Sequence, residues 1–98
     1  MIEFDFGPAS DDLFRAILAL GTVDECERFF RDLCTLSELR AMTERWQVVR
    51  LLEEGHSYRT ISEQTGVSTA TVTRVAHWLR QGEGGYRTAL DRLTEEGW

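Results

Sequence analysis

The sequence predicts an all-α fold, and three observations lead there. Only one proline, Pro8, breaks the chain, and no run alternates apolar and polar residues as a half-buried strand would. Hydroxyl residues able to accept from the unpaired N–H groups of a first helical turn recur ahead of apolar stripes at helical spacing. With 98 residues, the chain is expected to form a single helical domain over 1–98 with a small core.

Six helices follow in order. Ser10 is expected to cap the first, which carries Leu13, Phe14, Ile17 and Leu18 and ends at Gly21. Thr22 with Glu25 reads as a capping box, the glutamate returning to the cap's own N–H, ahead of Cys26, Phe29, Phe30 and Leu33. Thr35 with Glu38 repeats the device and opens the longest helix, with Leu36, Leu39, Met42, Trp46, Val49 and Leu52 before Gly55. Ser57 caps a short helix over about 58–65, and Ser68 a fifth over about 69–81, stopped by Gly82. After Gly84 and Gly85 a sixth carries Tyr86, Ala89, Leu90 and Leu93, an apolar face too large for a lone surface helix. Residues 1–9 and 95–98 read as loose ends.

Composition narrows the function. Apolar content of 42% and charged content of 29% are ordinary for a globular domain. The longest apolar run, Ala16 to Leu20, is far too short to cross a bilayer, and Met1 to Asp5 do not resemble a signal segment. No membrane association and a cytoplasmic location are therefore expected, and two cysteines agree with a reducing compartment. Cys26 and Cys34 read as buried free thiols. His56 and His77 lack second ligands at helical spacing, so no metal is expected. No nucleophile triad or carboxylate pair converges, and Gly82, Gly84 and Gly85 lack the Lys-Ser/Thr ending of a phosphate loop. An enzyme is not expected, nor any cofactor. Trp46 reads as core or dimer interface, and Glu53 with Glu54 as a solvated surface pair.

The informative stretch is Ser57 to Arg80. Two helices crossing at about 90–120° over a short turn need a small residue where they touch, a glycine at the turn and apolar residues to hold the angle. Ser62 supplies the first, Gly66 the second, and Ile61, Val67, Val72 and Val75 the third, with Ser68 capping the second helix. This is a helix-turn-helix pattern over about 57–81. Thr69, Ala70, Thr73 and Arg74 remain facing outward, short or guanidinium groups able to approach base edges and phosphates, and Arg59 on the preceding helix has the same reach. A helix-turn-helix also serves as a packing device in protein contacts, so an interaction module that never touches DNA is the competing reading.

At these residues the chain resembles the Trp repressor family, in its YerC/YecD-like branch. The resemblance runs through Phe29–Thr35, Leu39–Arg45, Gly55–Arg80 and Gly82–Tyr86 into Ala89–Leu93, and Ala70-Thr-Val-Thr-Arg74 is its most specific piece. It implies a six-helix, intertwined homodimer that presents its fifth helices to the DNA major groove about one turn, roughly 34 Å, apart. It further implies that Arg59 reads a base, with Ala70 and Thr73 at the interface. Ser68, Thr69, Arg74 and Arg80 complete the expected DNA-binding set.

The resemblance also implies a ligand pocket at Thr35, Arg45 and Arg74, with Val75 and Trp78 beside them. In the founding repressor these three hold tryptophan, but a glycine stands where this chain has Val75 and a serine where it has Trp78. Adding carbons to a space that an indole must enter costs about 1–3 kcal/mol. A vestigial pocket is therefore expected, with Trp78 partly filling it and L-tryptophan excluded as corepressor; a different, unknown effector stays open. Thr69 and Ser62 replace an isoleucine and a lysine, so the founding operator does not transfer.

The charge of the whole chain, 17 acids against 11 arginines and no lysine, would repel nucleic acid. It is unevenly spread: residues 57–81 hold three arginines and one glutamate, while residues 1–44 hold ten acids and four arginines. A Debye length of about 8 Å screens the acidic part from a surface one or two helices away. The expected consequence is weak binding to random DNA, with useful affinity reserved for a specific site.

Overall fold

A computed structural model describes residues 6–98 as six helices: α1 (Pro8–Leu18), α2 (Val23–Leu33), α3 (Leu36–Glu53), α4 (Tyr58–Thr65), α5 (Thr69–Gln81) and α6 (Gly85–Glu95). No strand occurs among the described residues. The chain divides into two compact units, residues 1–39 and 40–98.

In the first unit the opening helix starts earlier than its hydroxyl signal suggested. Gly7 is the N-cap and Pro8 occupies the first turn, so Ser10 lies inside α1 and caps nothing. Proline at that position has no N–H to orphan and its φ is already helical, which outweighs a serine two residues later. Of the expected loose end, residues 1–5 lie outside the described residues, while Pro8 and Ala9 are helical. α1 also ends before Gly21, at Leu18, with Ala19 as a right-handed cap. Thr22 accepts from the Glu25 N–H at 3.1 Å, but the Glu25 carboxylate takes the Gly21 N–H at 2.7 Å instead of the N–H of Thr22. At Thr35 the box closes reciprocally: its hydroxyl accepts from Glu38 at 3.1 Å and its N–H donates to Glu38 Oε1 at 2.8 Å. That backbone donor holds the Glu38 carboxyl below its ordinary value.

Neither α1 nor α2 has a buried residue within the chain. Phe6 pairs with Phe14 and Phe29 with Phe30 at ring separations of 5.8 and 5.5 Å, yet Leu18, Val23 and Leu33 stay largely exposed. Cys26 and Cys34 are free but half-buried, not the buried thiols expected, because the stripe they sit on is uncovered.

The second unit holds the core: Val48, Val49, Ile61, Val67, Val72, Val75 and Leu90, flanked by Trp46, Leu51, Leu52, Tyr58, Leu79 and Tyr86. Val48 was not in the apolar stripe read from α3, yet it is fully buried. Neighbouring Val48 and Val49 can both be inside because a helix enclosed by several others buries more than one narrow stripe. Trp46 packs half-buried against this core, its ring 6.3 Å from that of Tyr86.

α3 and α6 end alike. The His56 N–H bonds to the Leu51 carbonyl and that of Gly55 to Leu52, with Gly55 at φ +87°. Likewise Trp98 bonds back to Leu93 and Gly97 to Thr94, with Gly97 at φ +85°. Both are Schellman closures, satisfying carbonyls that the helix leaves open. The expected loose end at 95–98 is therefore ordered, and Arg50 Nη2 donates to the Trp98 carbonyl at 2.7 Å. Glu53 is likewise no simple solvated acid. Arg87 of α6 grips it with two bonds of 2.6 and 2.9 Å, which hold its carboxyl below the ordinary value. Glu54 lies 3.4 Å from His56.

Candidate nucleic-acid interface

α4 begins where the Ser57 hydroxyl accepts from the Thr60 N–H at 3.1 Å, and it ends at Gly66. Gly66 sits at φ +80°, and its N–H bonds the Ser62 carbonyl at 2.9 Å. A left-handed residue there turns the chain without steric penalty only if it has no Cβ. Two hydroxyls complete the turn. Ser62 Oγ donates to the Val67 carbonyl at 2.6 Å, while Thr65 Oγ1 donates to the Ile61 carbonyl at 2.7 Å and accepts from the Val67 N–H at 3.3 Å. Ser68 then caps α5, accepting from the Thr71 N–H at 3.1 Å. Ile61, Val67, Val72 and Val75 are all buried on the inner side of this bend, so the angle between α4 and α5 is held by packed side chains as well as by the turn.

The outer side is polar and open. Arg59, Ser68, Thr69, Ala70, Thr73, Arg74 and Arg80 are all exposed. Thr73 returns its hydroxyl to the Thr69 carbonyl at 2.9 Å, a local bond that fixes its rotamer on the first turns of α5. Arg59 pairs with Glu63 one turn along α4, Nε to Oε1 at 3.2 Å. Arg80 Nη1 donates to the Tyr58 hydroxyl at 3.1 Å. Tyr58 was not singled out from sequence; 22 residues separate the two partners, and no local spacing signals the contact.

Beside this face lies a recess of about 390 Å³ lined by Arg45, Arg74, Val75 and Trp78, together with Ala41, Glu44, Thr71 and Tyr86. Thr35, the fifth residue assigned to the pocket, belongs to the other unit, where it caps α3. Trp78 is 47% exposed and leaves the recess open. Arg74 Nη2 donates to Thr71 Oγ1 at 3.3 Å, and Thr71 Oγ1 is 3.1 Å from the Ser68 hydroxyl, so a short polar chain joins the recess wall to the cap of α5. Glu44 and Thr71 were absent from the sequence-derived set. Thr71 stands three residues before Arg74, four before Val75 and seven before Trp78, a helical spacing that places all four on one side of α5. Among the described residues no group of histidine, cysteine and carboxylate side chains could hold a metal, and no helix is long and apolar enough to cross a membrane.

Comparison with known proteins places this geometry in context. The profile of a family described as Trp repressor protein matches residues 9–94. An uncharacterized protein of Bacillus subtilis (strain 168), YerC, is 46% identical over 89 residues, covering 91% of this chain and 86% of that protein. Among solved structures, a Staphylococcus aureus protein provisionally described as a Trp repressor superposes with a TM-score of 0.85 at 43% identity, covering 90% of this chain and 88% of the other. A TrpR-like protein from Eubacterium eligens ATCC 27750 gives the same TM-score at 41% identity, covering 90% and 91%.

Proposed function

Because the chain belongs to the Trp repressor family, we propose that it is a sequence-specific DNA-binding transcriptional regulator, working in the cytoplasm as a homodimer and repressing by occupying an operator. The observation that carries this reading is the outer face of the α4–α5 bend, where Arg59, Arg74 and Arg80 are exposed along the two helices and the small side chains at the start of α5 are exposed with them. Arg59, Thr69, Ala70 and Thr73 address base edges; Arg74, Arg80 and the Ser68 cap address phosphates. No cofactor or catalytic step is part of this function.

The homodimer is supported by the uncovered apolar side chains of α1 and α2, among them Phe14, Leu18, Val23 and Leu33. On this reading the dimer presents two reading helices about 34 Å apart, the spacing of successive major grooves, as the family resemblance implies. Light scattering is expected to give twice the chain mass.

Gel shifts against genomic fragments test the DNA reading. Arg59→Ala and Arg74→Ala are expected to weaken binding by about 1–3 kcal/mol each, and affinity should fall steeply with salt as counterions are released. If both variants bind as well as the parent, the assignment is wrong. A tight protein partner together with salt-insensitive, feeble DNA affinity would favour an interaction module instead.

L-tryptophan is not the corepressor on this reading, since Val75 and Trp78 occupy the wall an indole would need. The open recess, with Arg45 in no ion pair among the described residues, favours a regulator that senses a different small ligand.

A further inference from the structure

Between Ser57 and Gln81 the only acid is Glu63, and it stands one helical turn from Arg59. Arg59 Nε donates to Glu63 Oε1 at 3.2 Å, and the two side chains are 89% and 65% exposed. A pair this open adds little to helix stability, and arginine ahead of the acid is the weaker of the two orders. The contact does more for the arginine than for the helix. It engages the Nε–H, one of five guanidinium N–H groups, and the four terminal ones, the edge that can match guanine O6 and N7, make no hydrogen bond among the described residues.

We infer that Glu63 is a specificity-determining residue of this face: it aims the Arg59 fork at a neutral base edge and, by its own charge, discourages the same arginine from settling on phosphate. The inference rests on the DNA-binding reading above. A base edge presents only partial charges, so Arg59 can meet it while still paired. A phosphate brings a full negative charge up to the carboxylate, and two like charges about 6 Å apart in water cost about threefold in affinity. With Arg59 neutralised by Glu63, random DNA also gains one fewer phosphate contact and releases about one fewer counterion. The acidic remainder of the chain acts in the same direction on random sequence.

The test compares the parent with Glu63→Gln, Glu63→Ala and Arg59→Ala on two probes, a random-sequence duplex pool and the tightest duplex the parent selects from that pool. Fluorescence anisotropy across a salt series reads both affinity and its salt slope. Glu63→Gln is expected to bind the pool about threefold more tightly with a salt slope steeper by about one, and the selected duplex within about twofold of the parent, because the amide oxygen still accepts from Arg59. Glu63→Ala is expected to gain on the pool and lose on the selected duplex, having lost both charge and aim. Combining Arg59→Ala with Glu63→Gln is expected to remove the change in slope. Equal factors on both probes with an unchanged slope overturn the inference while leaving DNA binding intact. A parent that binds neither probe at about 50 mM salt overturns the DNA reading, and the inference falls with it. Both residues lie on the surface, and circular dichroism of the variants is expected to show unchanged helicity.

Discussion

The Ser62 hydroxyl of α4 donates a 2.6 Å hydrogen bond to the carbonyl of Val67, five residues on, across the turn between the two helices that form the exposed basic face. The bond is part-buried, so deleting it takes a protein donor from the Val67 carbonyl at a site that water reaches only in part. Ser62→Ala is expected to lower stability by about 1 kcal/mol, which in a domain of this size moves the melting temperature by about 4–8 °C. A thermal melt identical to the parent would show that the bend depends on its apolar residues alone.

Gly66 and Gly85 should respond oppositely to alanine. Gly66 sits at φ +80°, where an alanine is expected to cost about 1–2 kcal/mol although no atom obstructs its Cβ. Gly85, in the first turn of α6, has open space around the missing Cβ and an ordinary φ, so Gly85→Ala is expected to be neutral or stabilising by up to about 1 kcal/mol. Urea midpoints at unchanged m-value distinguish the two.

Ile61 and Val72 are fully buried where α4 and α5 meet. Ile61→Ala is expected to cost about 2–5 kcal/mol and Ile61→Val only about 0.5–1.5, since the cavity left scales with the atoms removed. Guanidinium titrations measure both, and a loss of DNA affinity in Ile61→Val under conditions where it remains fully folded would mark the helix crossing angle itself as critical.

Val75 and Trp78 are the residues held to keep tryptophan out of the recess. Calorimetry with L-tryptophan is expected to register no micromolar binding to the parent. Val75→Gly with Trp78→Ser enlarges the same wall and is expected to gain measurable affinity, by a factor of about 5 or more given an overpacking penalty of about 1–3 kcal/mol. Micromolar binding by the parent would refute the exclusion.

Glu53 links stability to pH through Arg87. Its carboxyl titrates near 4.5 when free of the guanidinium and lower when gripped by it. The stabilisation is therefore complete above pH 4.5 and disappears as pH falls through the lowered folded value. Melting temperatures of the parent should drop more steeply below pH 4.5 than those of Glu53→Gln, while the two run parallel above it. Parallel curves throughout would mean the pair contributes nothing in solution.

The bend was readable from sequence because each of its parts is a local rule. Ser57 and Ser68 cap the N–H groups three residues ahead, Gly66 takes the one backbone conformation that ends α4 there, and the buried residues recur at helical spacing. The same locality misled at the first helix, where Ser10 and Gly21 carried the expected signals but Gly7, Pro8 and Ala19 made the boundaries. At the C-terminus the sequence suggested a loose end, although Gly97 sits where a Schellman closure needs it.

What the sequence determined alone, then, is the six helices, the hydroxyl caps of α2 to α5 and the identity of the helix-turn-helix, all set by interactions within about five residues. Only the tertiary structure decided which apolar residues are interior: Val48 is enclosed, whereas Leu18, Val23 and Leu33, no less apolar, are left uncovered. It also decided the partners of the charged and aromatic side chains, Arg87 with Glu53, Arg80 with Tyr58 and Trp78 at the edge of an open recess. Periodicity says which side of a helix is apolar, but only the packing of distant segments determines whether anything covers it.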